Sequence, residues 1–197
     1  MRHRRKGRVL GRSPSHQRAL LRNLASALIL TERETEVDEA GAPKVGGRIV
    51  TTVAKAKEVR PLVERCVTIA KRGLAAEARA KEFGSAATRD SAEWKKWRGS
   101  EQWRKWAQAM APGVTARRRV LQLLGDKQAT RVLFERVAPR FTDRPGGYTR
   151  ILKLSTPRLG DAGPRAVLEF VGAGSGLGAT PAPRVEAARP GRAAAGA

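Results

Sequence analysis

Six cations in the first twelve residues, Arg2, Arg4, Arg5, Lys6, Arg8 and Arg12, have the type and spacing to neutralise a run of phosphates. A planar guanidinium matches a pair of phosphate oxygens, and Gly7 and Gly11 permit close backbone approach. His3 and His16 add rings that can stack on a base or donate to a phosphate, although both also read as ordinary exposed polar residues. The first 31 residues hold eight Lys/Arg and no Asp or Glu. The stretch up to Arg12 cannot offset its own repulsion with a core, so it is expected to order only against a polyanion. Ser15, Arg18 and Arg22 follow at a helix start, where free N–H groups themselves attract phosphate.

Two later clusters repeat this chemistry. Lys55, Lys57 and Arg60 lie in the first turns of a predicted helix, where cations oppose the helix dipole, a cost that a nearby phosphate would offset. Arg140, Arg144, Tyr148, Arg150 and Lys153 form the other, with Tyr148 readable equally as a base-stacking ring or as a sheet-packing one. Trp94, Trp97, Trp103 and Trp106 alternate with Lys and Arg in a near-duplicate, Ser91–Trp97 and Ser100–Trp106, offset by nine residues. Indoles in such company can stack on RNA bases, meet a protein or pack on one another. Nine residues is half a turn out of phase in one α-helix. A break at Gly99-Ser100, with each serine capping a short helix, would turn both pairs the same way.

Other chemistries find little support. The carboxylates are scattered or gathered in one loop and both histidines lie near the start, so neither a nuclease pair nor a metal set is spelled out, and no cofactor is expected. The one cysteine, Cys66, rules out an intrachain disulfide and reads as a small buried hydrophobe. No run approaches the ~20 apolar residues of a membrane span. The apolar stretch ALLRNLASALIL after a basic start has some look of a signal peptide, but Arg22 and Asn23 interrupt it. An Arg-rich, acid-free start also has the composition of a transit peptide, which composition alone does not dismiss. With 40 Lys+Arg against 18 Asp+Glu, a formal charge of +22 favours a nucleic acid as partner. An architectural DNA-binding protein is the alternative reading, although the turn at Gly125-Asp126 is followed by no clear polar recognition helix.

The elements that must position these residues read as follows. Ser13-Pro14 starts a helix whose apolar face is Leu20, Leu21, Leu24, Leu28 and Ile29, leaving Arg18 and Arg22 off it. Residues 32–47, with five acids and three glycines, read as an exposed loop serving solvation and spacing. Arg48–Thr52 is a short strand. Residues 53–72 form a helix burying Val59, Leu62, Val63, Cys66, Val67 and Ala70, with a kink or restart at Pro61 and a C-cap at Gly73. After the Trp-rich segment 74–113, helical pattern resumes over 116–138, stopping and restarting at Gly125-Asp126 and ending at Pro139. Leu121, Leu124, Val132, Leu133 and Val137 are its expected buried positions. Tyr148–Leu154 and Arg165–Val171 form an antiparallel pair, with Ala166, Leu168 and Phe170 on one face. The Gly/Ala/Pro-rich tail is expected to be disordered. The predicted class is α+β: a small three-stranded mixed sheet with helices on one face. Residues 1–12 form an arm, 13–172 the domain and 173–197 the tail.

Three blocks carry a resemblance. MRHRRKGRVLGRSPSHQRALLRNLASAL opens the chain, IVTTVAKAKEVRPLVERCVTIAKRG follows the acidic loop, and VLFERVAPRFTDRPGGYTRILKL with GDAGPRAVLEFV comes last. Together they resemble bacterial large-subunit ribosomal protein seventeen over residues 1–31, 48–73 and about 116–172. The MRHR opening, the TT-x-AKAKE stretch and the DR-x-GGYTRILKL block are the specific features. The resemblance implies an α/β fold, direct binding to large-subunit (23S-type) rRNA, neighbouring ribosomal proteins near the exit side of the peptide tunnel, and a role in ribosome assembly and translation. It implies no enzymatic activity, cofactor, membrane or small-molecule substrate. The loop 32–47, the segment 74–113 and the tail depart from the family pattern, and the resemblance is silent on them.

Overall fold

The computed structural model describes residues 7–35 and 39–172; Arg2, His3, Arg4, Arg5, Lys6 and the tail 173–197 lie outside the described residues. Extended backbone at Ser13 and the pre-set φ of Pro14 start α1 (Pro14–Leu30), although the Ser13 hydroxyl makes no capping bond to the helix. Ala25, Leu28 and Ile29 are fully buried, with Leu21 and Leu24 packed at the edge of the core. Strand β1 (Arg48–Thr52) runs without a connecting residue into α2 (Val53–Lys81), the longest helix.

α2 does not stop at Gly73, nor does it restart at Pro61. Ala76 and Ala80 extend its buried stripe beyond the expected end. Gly73 serves the packing instead: a Cβ there would lie 2.8 Å from the Ala116 Cβ and 3.0 Å from Phe134 Cε1. The helix that demands this closeness is α4 (Glu101–Leu124), which follows the short α3 (Ala92–Arg98). At Gly113 of α4 a Cβ would lie 2.9 Å from Glu77 Cγ. Absent side chains on both helices thus let their backbones approach, and Glu77 passes over Gly113 to bond Arg117 twice, at 2.8 and 3.1 Å. The Arg117 guanidinium also covers the Phe134 ring at 4.4 Å. Segment 74–113 is therefore not a separate helical unit: it lengthens α2 and α4 and adds α3 between them.

Gly125 ends α4 in the left-handed conformation, φ +75°. The Asp126 carboxylate then accepts from the N–H groups of Gln128 and Ala129 to start α5 (Lys127–Val132). Helical chain continues past the expected stop at Pro139, as a π turn over Leu133–Val137 and a 3₁₀ turn over Ala138–Phe141. Pro139 has no N–H for the Glu135 carbonyl, so the α pattern loosens and then tightens instead of ending.

The last two strands are β2 (Thr149–Lys153) and β3 (Arg165–Phe170), and the sheet order is β1-β3-β2. Both pairings are antiparallel, which corrects the expected mixed sheet. β3 takes the centre, so β1 and β2 point the same way without ever bonding to each other. Ile49, Leu168 and Ile151 align across the sheet and face the helices, joined by Ala166 and Phe170. Phe141 lies 5.2 Å from the Tyr148 ring and 6.1 Å from Phe170, an aromatic corner in an otherwise aliphatic core.

The acidic loop also differs from its expected role. Its carboxylates reach the turns after α5: Glu32 meets Arg140 at 2.8 Å, Glu34 pairs with Arg136, and Arg136 donates to the Glu32 carbonyl at 3.1 Å. The loop binds cations of its own chain rather than merely spacing two elements.

Candidate nucleic-acid interface

Lys57, Arg60, Arg150 and Lys153, from the second and third cationic clusters, meet along one groove between the start of α2 and strand β2. Val53, Pro61, Glu64, Gly147, Thr149 and Ile151 complete its walls, and its volume is about 740 Å³. Two structural causes bring these cations together. β1 delivers the chain directly into α2, which sets the first turns of that helix beside the sheet. Glu64, one turn after Arg60, then accepts from the Tyr148 and Thr149 N–H groups at 3.1 and 2.9 Å and from the Thr149 hydroxyl at 2.7 Å. That carboxylate fastens the beginning of β2 to α2 and fixes the width of the groove. Sequence reasoning missed Glu64; the available signal was its i+4 spacing from Arg60 on the polar side of the helix.

The groove cations are not equivalent. Among the described residues, Lys57 and Lys153 have no carboxylate within ion-pair distance, and both are exposed. Arg60 lies 3.9 Å from Glu64. Arg150 is half-buried and engaged by Glu169, which is itself buried within the sheet. Two point charges are thus free for a ligand, while two guanidinium groups are partly committed.

The start of α1 offers a smaller recess of about 410 Å³, lined by Ser15, Arg18, Ala19, Arg22, Asn23, Leu124 and Gly125. Arg22 donates to the Gln122 carbonyl at 3.1 Å, which ties α1 to the end of α4. His16 is exposed outside that recess. Within the described part of the arm, Arg8 lies 3.6 Å from Glu58 and Arg12 donates to the Leu10 carbonyl at 2.7 Å. Residues 7–12 therefore fold back against the starts of α1 and α2.

Other expected members separate. Lys55 is half-buried and is not among the residues lining the groove of Lys57. Arg140 turns to Glu32, and Arg144 bonds the Gly146 carbonyl at 3.1 Å in the turn before β2. Tyr148 is only 2% exposed, so its ring is a core element and offers no face to a base. Its hydroxyl is met by Lys71 at 3.3 Å.

The Trp-rich segment breaks at Gly99, as its spacing suggests. Ser91 caps α3 by accepting from the Trp94 N–H, whereas Ser100 bonds back to the Trp97 carbonyl at 2.6 Å and α4 is long rather than short. Trp97 and Trp106, the equivalent indoles of the duplicate, meet edge to face at 5.6 Å. Trp97 also donates to the Phe83 carbonyl at 3.1 Å, and Arg98 lies over Trp94 at 5.0 Å. Trp103 is half-buried like the other three.

Around these cations the chemistry-bearing side chains are few. Burial pushes the Cys66 thiol up to about 12, which leaves it protonated and inert. Among the described residues no three His, Cys, Asp or Glu side chains gather as metal ligands. No described helix is long and apolar enough to cross a membrane.

The comparisons with known proteins agree on one family. A family model described as Ribosomal protein L17 matches residues 20–171. The large ribosomal subunit protein bL17 of Rhodopirellula baltica is 66% identical over 172 residues, spanning 87% of this chain and 81% of that protein. The bL17 of Thermus thermophilus is 36% identical over 171 residues, spanning 87% of this chain and 99% of its own. That of Syntrophotalea carbinolica is 34% identical over 171 residues, spanning 87% and 75%.

Proposed function

Because the chain belongs to the ribosomal protein L17 family, we propose that the groove between α2 and β2 is the part of its folded domain that grips large-subunit rRNA. The protein is a structural, non-enzymatic constituent of the large ribosomal subunit, working within the ribosome in the cytoplasm. The convergence of Lys57, Arg60, Arg150 and Lys153 carries the proposal for the groove. These cations are remote in sequence, and no internal carboxylate accounts for Lys57 and Lys153 among the described residues. Phosphates in the groove would neutralise both and release counterions.

The same proposal assigns further phosphate contacts to Ser15, His16, Arg18 and Arg22 at the start of α1. It also assigns them to the arm, residues 1–12, with Arg2, His3, Arg4, Arg5 and Lys6 leading Arg8 and Arg12. The cationic composition of the arm supports this. Lys55, Arg140 and Arg144 are subsidiary contacts at the margins. A site beside the exit of the peptide tunnel, among other large-subunit proteins, belongs to the proposal on the strength of the resemblance alone. So does the division into arm, domain 13–172 and tail.

Nothing in the fold favours the DNA-binding alternative. The helix after the Gly125-Asp126 turn, α5, has six residues and buries Ala129, Thr130 and Val132, which leaves no helix face of the length that enters a major groove. A direct competition separates the two. The full chain, bound to large-subunit rRNA, is challenged with duplex DNA of equal phosphate content at fixed salt. Retention on rRNA and sedimentation with large subunits are expected, and equal partition onto DNA would defeat the reading.

A further inference from the structure

We infer that the tip of the α2–α4 hairpin is a second RNA-docking surface, which holds a separate segment of large-subunit rRNA by its phosphates rather than by base stacking. The inference rests on the rRNA reading of the groove but concerns residues outside it. Each copy of the Trp-rich duplicate sorts its side chains in the same way. Trp94, Trp97, Trp103 and Trp106 are all half-buried, whereas Lys95, Lys96, Arg98, Arg104 and Lys105 are all exposed. The indoles turn inward, with Trp97 on Trp106 and its N–H bound to the Phe83 carbonyl. They weld α3 onto the start of α4 and tie both to the end of α2.

That weld explains how α3 exists at all. Its seven residues are too few for a helix that stands alone in water. Solubility would need the same cations but no fixed arrangement of them. Here the Ser91 cap, an indole pair and the Ser100 bond to the Trp97 carbonyl hold five cations in place on the outward side of the tip.

The charge left uncompensated points to a polyanion. Lys105 has Glu101 at 3.6 Å, while among the described residues Lys95, Lys96, Arg98 and Arg104 pair with no carboxylate. Arg98 instead covers Trp94. At roughly 1.5 Å per residue, α4 carries this tip about 18 Å from its Gly113 crossing to Glu101. The groove of Lys57 and Lys153 shares no residue with the tip, so a single protein chain presents two cationic faces on one rigid frame. The indoles contribute rigidity, since Trp97 packs edge to face with Trp106 and Arg98 lies over Trp94.

Hydroxyl-radical footprinting of large-subunit rRNA bound to the full chain tests this. Besides any segment held by the arm and the start of α1, the wild-type protein is expected to protect two separated backbone segments, one at the groove and one at the tip. A Lys95→Gln/Lys96→Gln/Arg104→Gln/Lys105→Gln variant, with unchanged helical circular dichroism, should lose one of them and keep the other. A Lys57→Gln/Lys153→Gln variant should show the reverse loss. A Trp97→Ala/Trp106→Ala variant should lose the tip footprint through disorder of α3, with helicity falling in step. Full protection by the tip charge variant would overturn the inference, whether or not that variant also weakened contact with a neighbouring protein. If the groove variant also kept every protection, the reading of the groove itself would fail.

Discussion

The two free lysines of the groove allow a quantitative test. Replacing Lys57 and Lys153 by Gln removes two charges that no internal carboxylate neutralises among the described residues. Each lost phosphate contact lowers the slope of log affinity against log salt by about 0.7, the value for single strands, to about 0.9, the value for B-form duplex. The double variant should therefore show a slope shallower by about 1.4–1.8. Between 50 and 200 mM salt, the ratio of wild-type to variant affinity then shrinks by about 7–12-fold, because the change in salt is fourfold. Arg60→Gln should shift the slope by less than either lysine, since Glu64 lies 3.9 Å away and already offsets part of its charge. Arg150→Gln should act elsewhere. It strips the buried Glu169 of its partner, so the loss is read in urea unfolding, at about 1–3 kcal/mol. Filter binding of rRNA across a salt series measures the slopes. An unchanged slope for the lysine pair, or an arginine effect larger than the lysine effect, would refute the assignment of free and committed cations.

Three further outcomes follow from other parts of the structure. Gly73→Ala places a methyl 2.8 Å from the Ala116 Cβ and should cost about 1–3 kcal/mol in denaturant unfolding, as overpacking does. Glu32→Gln releases Arg140 from the acidic loop and should steepen the rRNA salt slope by up to about 0.9, if the released cation meets a phosphate. Cys66 should resist iodoacetamide at pH 8 until the chain is unfolded. Burial raises its thiol from 9.0 to about 12, so the folded state keeps a proton that the unfolded state releases. The sign follows: its contribution to stability is full below pH 9 and falls as pH climbs towards 12, a fall that Cys66→Ala should flatten.

Periodicity made the element types legible because each depends on neighbours in sequence. The apolar stripe of α1, the β-branched run of β1 and the Gly125-Asp126 stop and start are local patterns, and the structure realises each. Gly73 was misread for a physical reason. A glycine near a helix end has the same composition whether it caps the helix or admits a second helix, and only the position of Ala116 decides between them. The sheet order was hidden likewise, because β1 and β2 are interchangeable in pattern until the central strand is known. At the site, the sequence made the individual cations visible but not their partners. Arg140 and Lys57 look alike in the chain; Glu32 and Glu34, from the loop before β1, are what set Arg140 and its neighbour Arg136 apart. Tyr148 was ambiguous until Phe141 closed over it.

Arginine and lysine divide labour among the described residues. The planar fork of arginine suits a pair of phosphate oxygens. Yet among the described residues nine of the ten ion pairs are made by arginine, from Arg8 with Glu58 to Arg158 with Asp161, and only Lys105 represents lysine. The fork that suits phosphate suits a carboxylate equally, so the fold uses it internally, tying the acidic loop to the turns after α5 and β2 to β3. Lysine, a mobile point charge without a planar partner preference, is left outward at Lys57, Lys95, Lys96 and Lys153. The exposed pairs among these contribute little stability. Their greater effect is on binding, because an internal carboxylate removes a cation from competition for RNA. Among the described residues the exposed lysines of the groove, Lys57 and Lys153, and of the hairpin tip, Lys95 and Lys96, are among the cations that no internal carboxylate engages.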